Sequence, residues 1–497
     1  MKRLNRFSSL FIILGLCIGL GAILLPSSSV AAQVQDTNWS EPVQISNQDN
    51  TVIGSGARPV IDKYGNIHIF WAEQSLLDNT YFVQYARFDG ETWTDPVDIF
   101  TQPGTATFGF IAPPVIDDAG NIHIIFTLSI SGPVVYMRAP IHDAHTSRGW
   151  ERLPLIGIPA NRAELAIDND GQFHIVYSKF EGREPGVYHI KSTDRGETWT
   201  QPFWVDPDIP TNFKPERAIF ARDAATDKLH IVFKYTETID EIAQGKDIRH
   251  AFSDNQGDSW SIPTVIDTAD EATDELRAGG LVFAVRDDQV HVVWAGTSTT
   301  RREHRYSMDG GVTWSDTSRV FGELNGSAGD SLVIDGDGNV QFLGQIRFPQ
   351  GMWNISFDGT EWSEPTLVYL IRQSDKDEHQ GIHVHAINST VSQGNLMMAT
   401  FTNAPAEGHL HLYAMHRRID EVELIPPQPL PTVTPVPEIT PTVEVIVEPT
   451  AVPTLVPALQ VIEEPASPAR GLWFSMIPAL AVMTVAFGVG IIVQRRR

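Results

Sequence analysis

The sequence predicts an all-β protein, a β-propeller of four-stranded blades. Three observations predict this fold: a hairpin motif repeats along the chain, a tryptophan follows it at a regular interval, and the repeated region lacks helical periodicity. The repeats occupy residues 33–420 of the 497-residue chain. We expect seven blades, with six as the alternative.

The repeated hairpin is clearest in three segments, which read ARPVIDKYGNIHIFW at 57–71, APPVIDDAGNIHIIF at 112–126 and AELAIDNDGQFHIVY at 163–177. In each segment an apolar run meets a turn rich in Asp, Gly and Asn, and an alternating run follows. This pattern is typical of a β-hairpin. Weaker copies centre on His230, His291, Gln341 and Met397.

A tryptophan follows the third strand of each of the first six units, at Trp93, Trp150, Trp199, Trp260, Trp314 and Trp362. Trp39 stands before the first hairpin, and no tryptophan follows the seventh. The mean interval between these tryptophans is about 54 residues, which suits four strands and their turns. We therefore expect residues 39–42 to supply the outer strand of the last blade and to close the ring.

The charge and the cysteine content exclude several classes of function. Lys and Arg number 36 against 61 Asp and Glu, so the net charge is −25, and a field of that sign repels nucleic acid. The single cysteine, Cys17, lies in an apolar leader, which excludes disulfides, cysteine zinc sites and thiol nucleophiles from the mature chain. The recurrent histidines occupy equivalent positions in separate units, which favours a scaffold role. We expect no metal and no cofactor.

The two ends of the chain predict export and anchoring. Residues 1–32 have the basic, apolar and small-residue regions of a signal peptide. Residues 421–470 are rich in Pro, Thr and Glu, which predicts an extended stalk. Residues 471–493 are uncharged and long enough to cross a bilayer, and the arginines of the tail 494–497 mark the cytoplasmic side. We expect a monomer in the cell membrane, anchored by one helix, with an extracellular propeller and a short cytoplasmic tail.

A turn motif precedes most of the tryptophans. It reads STDRGETW at 192–199, SDNQGDSW at 253–260 and SMDGGVTW at 307–314, with shorter forms at 87–93 and 356–362. The Asp or Asn side chain accepts hydrogen bonds from turn amides, and Gly supplies a positive φ. These turns resemble the Asp-boxes of the sialidase-like (BNR repeat) propellers. The resemblance covers roughly residues 39–417 and implies a protein that acts on or binds extracellular glycans, because hydrolases, lectin-like proteins and receptors share the motif.

Residues that break the repeat are the candidates for function, since the inner strands of a propeller start at the mouth of a central cavity. Arg58, Pro113 and Glu164 occupy the same position in the first three units. In the looser units the nearby polar residues are Glu216, Arg217, Glu275, Arg277, Asp330 and His383. We expect three arginines and three or four acids to converge on one cavity. The alternative is that they pair as salt bridges around a polar mouth.

The resemblance to sialidases implies roles for some of these residues. In that family three arginines bind the substrate carboxylate, an Asp is the acid/base, and a Tyr paired with a Glu is the nucleophile. Arg58 resembles the first arginine, although its motif lacks the family's isoleucine, and Arg217 and Arg277 are candidates for the others. Asp78, in the loop between the second and third strands of its blade, matches the acid/base. Glu164 resembles the partner of the tyrosine, with Glu216 as the alternative.

Two departures from the family leave the activity open. No tyrosine matches the nucleophile, because the last two inner strands contain none and Tyr369 falls in a connection. The catalytic fold of the family has six blades, whereas the repeats predict seven. The hypotheses are therefore an exo-acting glycoside hydrolase of sialidase type, a non-catalytic propeller that binds glycans or proteins, and a structural component of the cell surface.

Overall fold

The computed structural model of the protein describes residues 38–46, 51–104, 110–129, 131–180, 182–239, 242–268, 277–295, 301–322, 326–347, 350–370, 385–391, 396–403 and 411–419. The expected signal peptide, stalk, membrane helix and cytoplasmic tail lie outside these residues. Within them, the structure contains no helix that is both long and apolar enough to cross a bilayer.

The strands of the described residues form seven antiparallel sheets. After β1 (Val43–Gln44), blade one comprises β2 (Thr51–Ile61), β3 (Ile67–Ser75), β4 (Tyr81–Phe88) and β5 (Val97–Gln102). Blade two comprises β6 (Val115–Ile116), β7 (Asn121–Thr127), β8 (Gly132–Pro140), β9 (Glu151–Arg152) and β10 (Ile156–Ala160), with a 3-10 helix at Ser147–Gly149. Blade three comprises β11 (Arg162–Ile167), β12 (Phe173–Lys179), β13 (Gly186–Ser192) and β14 (Phe203–Trp204).

The remaining blades follow the same order. Blade four comprises β15 (Phe213–Arg222), β16 (Leu229–Ile239), β17 (Ile242–Ser253) and β18 (Thr264–Thr268). Blade five comprises β19 (Arg277–Arg286), β20 (Gln289–Ala295), β21 (Arg302–Ser307) and β22 (Ser318–Arg319). Blade six comprises β23 (Gly326–Ile334), β24 (Val340–Arg347), β25 (Gln350–Phe357) and β26 (Thr366–Leu370), and blade seven comprises β27 (His385–Val391), β28 (Leu396–Asn403) and β29 (His411–Arg418). The prediction of seven blades is confirmed, and the alternative of six is wrong.

Blade seven takes its fourth strand from the start of the described chain. Val43 of β1 pairs with Ala414 of β29. The amide of Ser40 donates to the carbonyl of His416 at 2.8 Å, so the contact extends beyond the short strand. The expected closure of the ring is confirmed, with the strand itself one residue beyond the predicted segment 39–42.

The first strands of successive blades lie side by side in a closed ring. β2 contacts β6, and the series continues through β11, β15, β19, β23 and β27 back to β2. These strands therefore surround the central axis, and their side chains are the ones that different blades can bring together.

The hydrophobic core lies at the junctions between blades. Buried side chains form seven clusters, and each cluster combines residues of neighbouring blades. Every residue from Ile67 to Glu73 of β3 is buried, because neighbouring blades cover both faces of the sheet. A strand that is covered on both faces reads as a continuous apolar run rather than an alternating one.

A polar layer runs through this core at the recurrent histidines. Nδ1 of each histidine lies 2.7 to 3.1 Å from a polar atom of the third strand of its own blade. The five pairs, which we call the histidine layer, are His68–Tyr85, His123–Tyr136, His174–His189, His230–His250 and His291–His304. Blade six has Gln341 and Asn354 at the same two positions. These pairs join the strands of a blade, in keeping with the expected scaffold role.

The turns before the tryptophans rest on the histidine layer of the preceding blade. In blade four, Ser253 Oγ accepts from the amide of Gly257 at 2.9 Å, and Gly257 has a φ of +75°. A Cβ atom on Gly257 would lie 2.2 Å from Cε1 of His189 in blade three. Glycine is therefore required at this turn both for its backbone conformation and for the close approach of the next blade.

Candidate functional site

The inner strands bring five charged side chains to a similar depth in the ring. Arg58 pairs with Phe70 and Glu164 with Val176, two positions beyond the histidine of each blade. Arg162 and Arg217 lie opposite residues of the second strand that are four positions beyond the histidine of their blade. Glu216 lies beside Arg217 at a register shift. Since a strand rises about 3.3 Å per residue, these positions span only about 7 to 10 Å along the axis.

Arg58, Arg162 and Arg217, which we call the arginine cluster, come from blades one, three and four. The guanidinium carbons of Arg58 and Arg162 lie 4.9 and 3.7 Å from the centroid of the Phe110 ring. Nη1 of Arg58 donates to Oδ1 of Asn388 at 2.6 Å. With the other described residues, the side chains of Arg162 and Arg217 form neither a hydrogen bond nor a direct ion pair. The cluster thus places three cations together with few acceptors.

Burial and mutual repulsion act on the protonation of these arginines. Burial lowers the pKa of Arg58 to about 10, Glu164 opposes this shift, and Arg217 adds to it. The pKa of Arg162 is lowered well below its ordinary value by burial and then by the charges of Arg217 and Arg58. Burial also lowers the pKa of Arg217, against the charges of Glu164, Glu216 and Asp330. A nearby anion would favour the charged form of all three groups.

Glu164 is the acid embedded in the arginine cluster. Its side chain is only 3% exposed, and Oε2 accepts from the amide of Phe220 in the next blade at 2.7 Å. Burial raises the pKa of Glu164, while the Phe220 amide and the three arginines oppose that shift. One carboxylate oxygen is therefore held by the backbone of blade four.

The other two acids on the inner strands have cations of their own. Oε2 of Glu216 lies 3.2 Å from Nζ of Lys234, which is 1% exposed. Asp330 accepts two hydrogen bonds from Arg302, one of them from Nη2 to Oδ1 at 3.1 Å. The three arginines and Glu164 therefore lie together, as expected for residues that converge on one cavity. Glu216 and Asp330 instead form salt bridges, as the alternative expects.

Asp78 forms no hydrogen bond or ion pair with the arginine cluster. Asp78 is exposed in the turn between β3 and β4, and Oδ1 accepts from the amide of Thr80 at 3.0 Å. Hydrogen bonds with Ser75 and Thr80 lower the pKa of Asp78. All contacts that the structure gives Asp78 therefore lie within its own turn.

Three further residues that the sequence suggested lie wholly or partly outside the described residues. Arg277 opens β19 opposite Ala295, but its side chain lies outside the described residues. Glu275 and His383 lie outside them entirely.

The assignment of Tyr369 to a connection is wrong. Tyr369 lies in β26, its ring centroid is 5.0 Å from that of Phe401, and its hydroxyl accepts from Asn403 at 3.1 Å. Its placement in the strand follows from the pairing of Met352 with Tyr369 at the edge of blade six. Among the described residues, no tyrosine hydroxyl bonds to Glu164 or Glu216.

Two residues of the site, Arg162 and Phe110, were not predicted from the sequence. Arg162 stands two residues before Glu164, and alternate residues of a strand point to the same face, so the period of the strand already indicated it. Phe110 precedes a repeated hairpin and had no signal of its own. No group of three His, Cys, Asp or Glu side chains in the described ranges is placed to hold a metal ion.

Comparison with solved structures gives likenesses over most of the chain. The polysaccharide lyase Uly1 aligns with 77% of this chain and 100% of its own, at 10% identity and a TM-score of 0.56. An ulvan lyase bound to -[GlcA(1-4)Rha3S]- aligns over 75% of this chain and 95% of its own, at 12% identity and a TM-score of 0.52. The sialidase NanB of Streptococcus pneumoniae aligns with 78% of this chain and 71% of its own, at 12% identity and a TM-score of 0.43.

The likeness to the two lyases shows a shared propeller fold. No protein-family model matches the chain, and no curated protein matches it significantly. Because fold and chemistry vary independently, the function has to be argued from the site.

Proposed function

We propose that this protein binds acidic glycans outside the cell, and that a carboxylate or sulfate of the sugar enters the arginine cluster. The observation that carries the proposal is the convergence of Arg58, Arg162 and Arg217 from three blades, with only one hydrogen bond from their side chains to the other described residues. We further propose that the expected signal peptide and membrane helix display the propeller at the cell surface.

The chemistry of guanidinium groups supports an anionic ligand. A guanidinium offers a planar fork of donors that matches the paired oxygens of a carboxylate or sulfate. Partly buried cations without partners destabilise a protein, so their retention at one place favours a ligand that compensates their charge. Glu164 can compensate only one of the three charges.

The neighbouring structures agree with this ligand class. The ulvan lyase is described as bound to -[GlcA(1-4)Rha3S]-. GlcA carries a carboxylate and Rha3S a sulfate, and both groups are anions whose paired oxygens can accept from an arginine fork.

Binding rather than hydrolysis is the function that the site supports. Glu164 is engaged by the amide of Phe220, and Glu216 is paired with Lys234. Asp78 bonds within its own turn. A retaining hydrolase needs an acid/base and a nucleophile on either side of the scissile bond, and the described side chains supply no such pair beside the arginines.

The test is a titration of the purified full chain with acidic oligosaccharides, followed by calorimetry. The probes are a glucuronate oligosaccharide, a sulfated oligosaccharide and a sialoside, each beside its carboxyl-reduced or desulfated counterpart. We expect binding of acidic probes only, and at least about tenfold weaker binding by Arg217→Gln, since a charged hydrogen bond contributes about 1.5 to 3 kcal/mol.

The matched control is Arg222→Gln on the same strand. Arg222 lies 2.9 Å from Asp227 and already has its ion pair, so this variant should bind like the wild type. Equal binding of neutral probes, or an Arg217→Gln variant with unchanged affinity, would refute the proposal. Mass spectrometry of the same mixtures detects any cleavage of the probes, which would show that the site also performs chemistry.

A further inference from the structure

We infer that Phe110 is a positioning residue of the arginine cluster, whose ring holds both Arg58 and Arg162 in place before the ligand arrives. The inference rests on the proposed function, because it concerns how the same site is prepared for an anion. Phe110 comes from blade two, and the two arginines come from the blades on either side of it.

The backbone of Phe110 is anchored to the second strand of its blade. Its amide donates to Oγ1 of Thr127 at 3.3 Å, and its carbonyl accepts from the amide of Thr127 at 3.1 Å. The next residue, Ile111, forms a bridge with Phe126. The ring itself packs on the buried cluster between blades two and three. Phe110 is therefore a fixed point against which other side chains can be placed.

The ring attracts both guanidinium groups. The face of an aromatic ring carries negative electrostatic potential, which attracts a cation within about 6 Å of the centroid. The distances of 4.9 Å for Arg58 and 3.7 Å for Arg162 satisfy this condition. The attraction opposes the repulsion between the two like charges, which would otherwise separate them.

Arg162 depends on the ring more than Arg58 does. The side chain of Arg58 also donates to Asn388, whereas the side chain of Arg162 has no hydrogen bond or direct ion pair with a described residue. Without the ring, Arg162 would sample other rotamers, and a ligand would have to order the side chain again when it binds. Ordering a long side chain weakens binding by roughly a factor of ten.

The test compares F110L with F110Y in the full chain. F110L keeps apolar volume and removes the ring face, whereas F110Y keeps the ring. We expect F110L to bind the acidic oligosaccharide about tenfold more weakly and F110Y to bind within about twofold of the wild type. If the role of Phe110 were purely structural, F110L would instead lower the midpoint of thermal unfolding, and binding would weaken in proportion to that loss of stability. If F110L does not fold, F110M serves as the variant without a ring.

Crystal structures of the unliganded wild type and of F110L give a readout that needs no glycan. We expect the guanidinium of Arg162 to leave its wild-type position in F110L. Wild-type affinity in F110L, or unmoved positions of Arg58 and Arg162 in its crystals, would overturn the inference. If the wild type binds no acidic probe, the proposed function fails, and the two crystal structures still decide whether Phe110 positions the arginines.

Discussion

The histidine layer and the arginine cluster lie a few residues apart on the same blades, yet they differ in almost every physical respect. Members of the histidine layer recur from blade to blade, and each histidine has a partner at 2.7 to 3.1 Å on its own third strand. Members of the arginine cluster occur once each and come from different blades. Arg162 and Arg217 lack such partners among the described residues.

This difference separates the residues that stabilise the propeller from those that we assign to the ligand. A repeated residue with a repeated partner contributes the same interaction to several blades, so its loss weakens the fold. An unrepeated cation beside other cations weakens the fold by its presence. Proteins keep such groups where function requires them, at a cost in stability.

The largest effect is expected where a blade rests on the histidine layer of its neighbour. Gly257→Ala should lower the free energy of unfolding by about 3 kcal/mol, because the new Cβ meets His189 and the positive φ is strained. The control is Gly171→Ala, which has nearly the same φ, +76° against +75°, but nothing within 4 Å of the added atom. It should cost about 1 kcal/mol. Equal costs in urea unfolding would show that the contact between blades adds nothing.

A smaller effect should appear as acid sensitivity of the histidine pairs. Burial lowers the pKa of His291 to about 4, and burial with the charge of His291 lowers the pKa of His304 to about 3. The unfolded chain therefore binds more protons than the folded chain from pH 6.5 down to about 4, so stability falls as the pH falls through this window. The loss attributable to this pair should be on the order of 2 kcal/mol between pH 6.5 and 5.5.

Blade six supplies the substitution that tests this acid sensitivity. The double variant His291→Gln, His304→Asn copies Gln341 and Asn354 and removes both titrating groups. Thermal unfolding of this variant should depend less on pH between 6.5 and 4 than that of the wild type. His145→Gln, at an exposed position, should leave the profile unchanged. An unaltered profile in the double variant would contradict the assigned role of the pair.

The smallest effect has the opposite sign. Arg162→Met removes one of three like charges while a long apolar stem still covers Phe110, so we expect a gain of about 1 kcal/mol in stability with loss of binding to acidic probes. Urea unfolding and calorimetry on the same samples measure both quantities. If Arg162→Met lost both stability and binding, the arginine cluster would stabilise the fold as the histidine layer does, and the contrast between the two regions would be wrong.

Much of the fold could be predicted from local signals. The repeated hairpins, the tryptophan interval and the extra Trp39 predicted seven blades and the closing strand, because turn chemistry and strand period are properties of short segments. Arg58, Arg217 and Glu164 were predicted to converge because they broke a repeated pattern at equivalent positions. Asp78 rested on resemblance alone, and the structure shows it bonded within its own turn.

The partners of the charged groups could not be predicted in the same way. The sequence showed acids and arginines near the starts of the inner strands, but it did not show that Glu216 would pair with Lys234 and Asp330 with Arg302. These pairs join the first strand of a blade to the second, or one blade to the next. Their distances depend on register shifts such as the one between Pro215 and Arg217.

Short-range chemistry therefore decided the all-β class, the number of blades, the turns and the equivalence of the histidines. Ring closure decided the site, because it brings Arg58, Phe110 and Arg162 together although they lie far apart along the chain. Only the packed structure shows which charges have a partner and which have none among the described residues. The physical reason is that a hydrogen-bonded turn is complete within a few residues, whereas the surroundings of a buried charge are assembled from several blades.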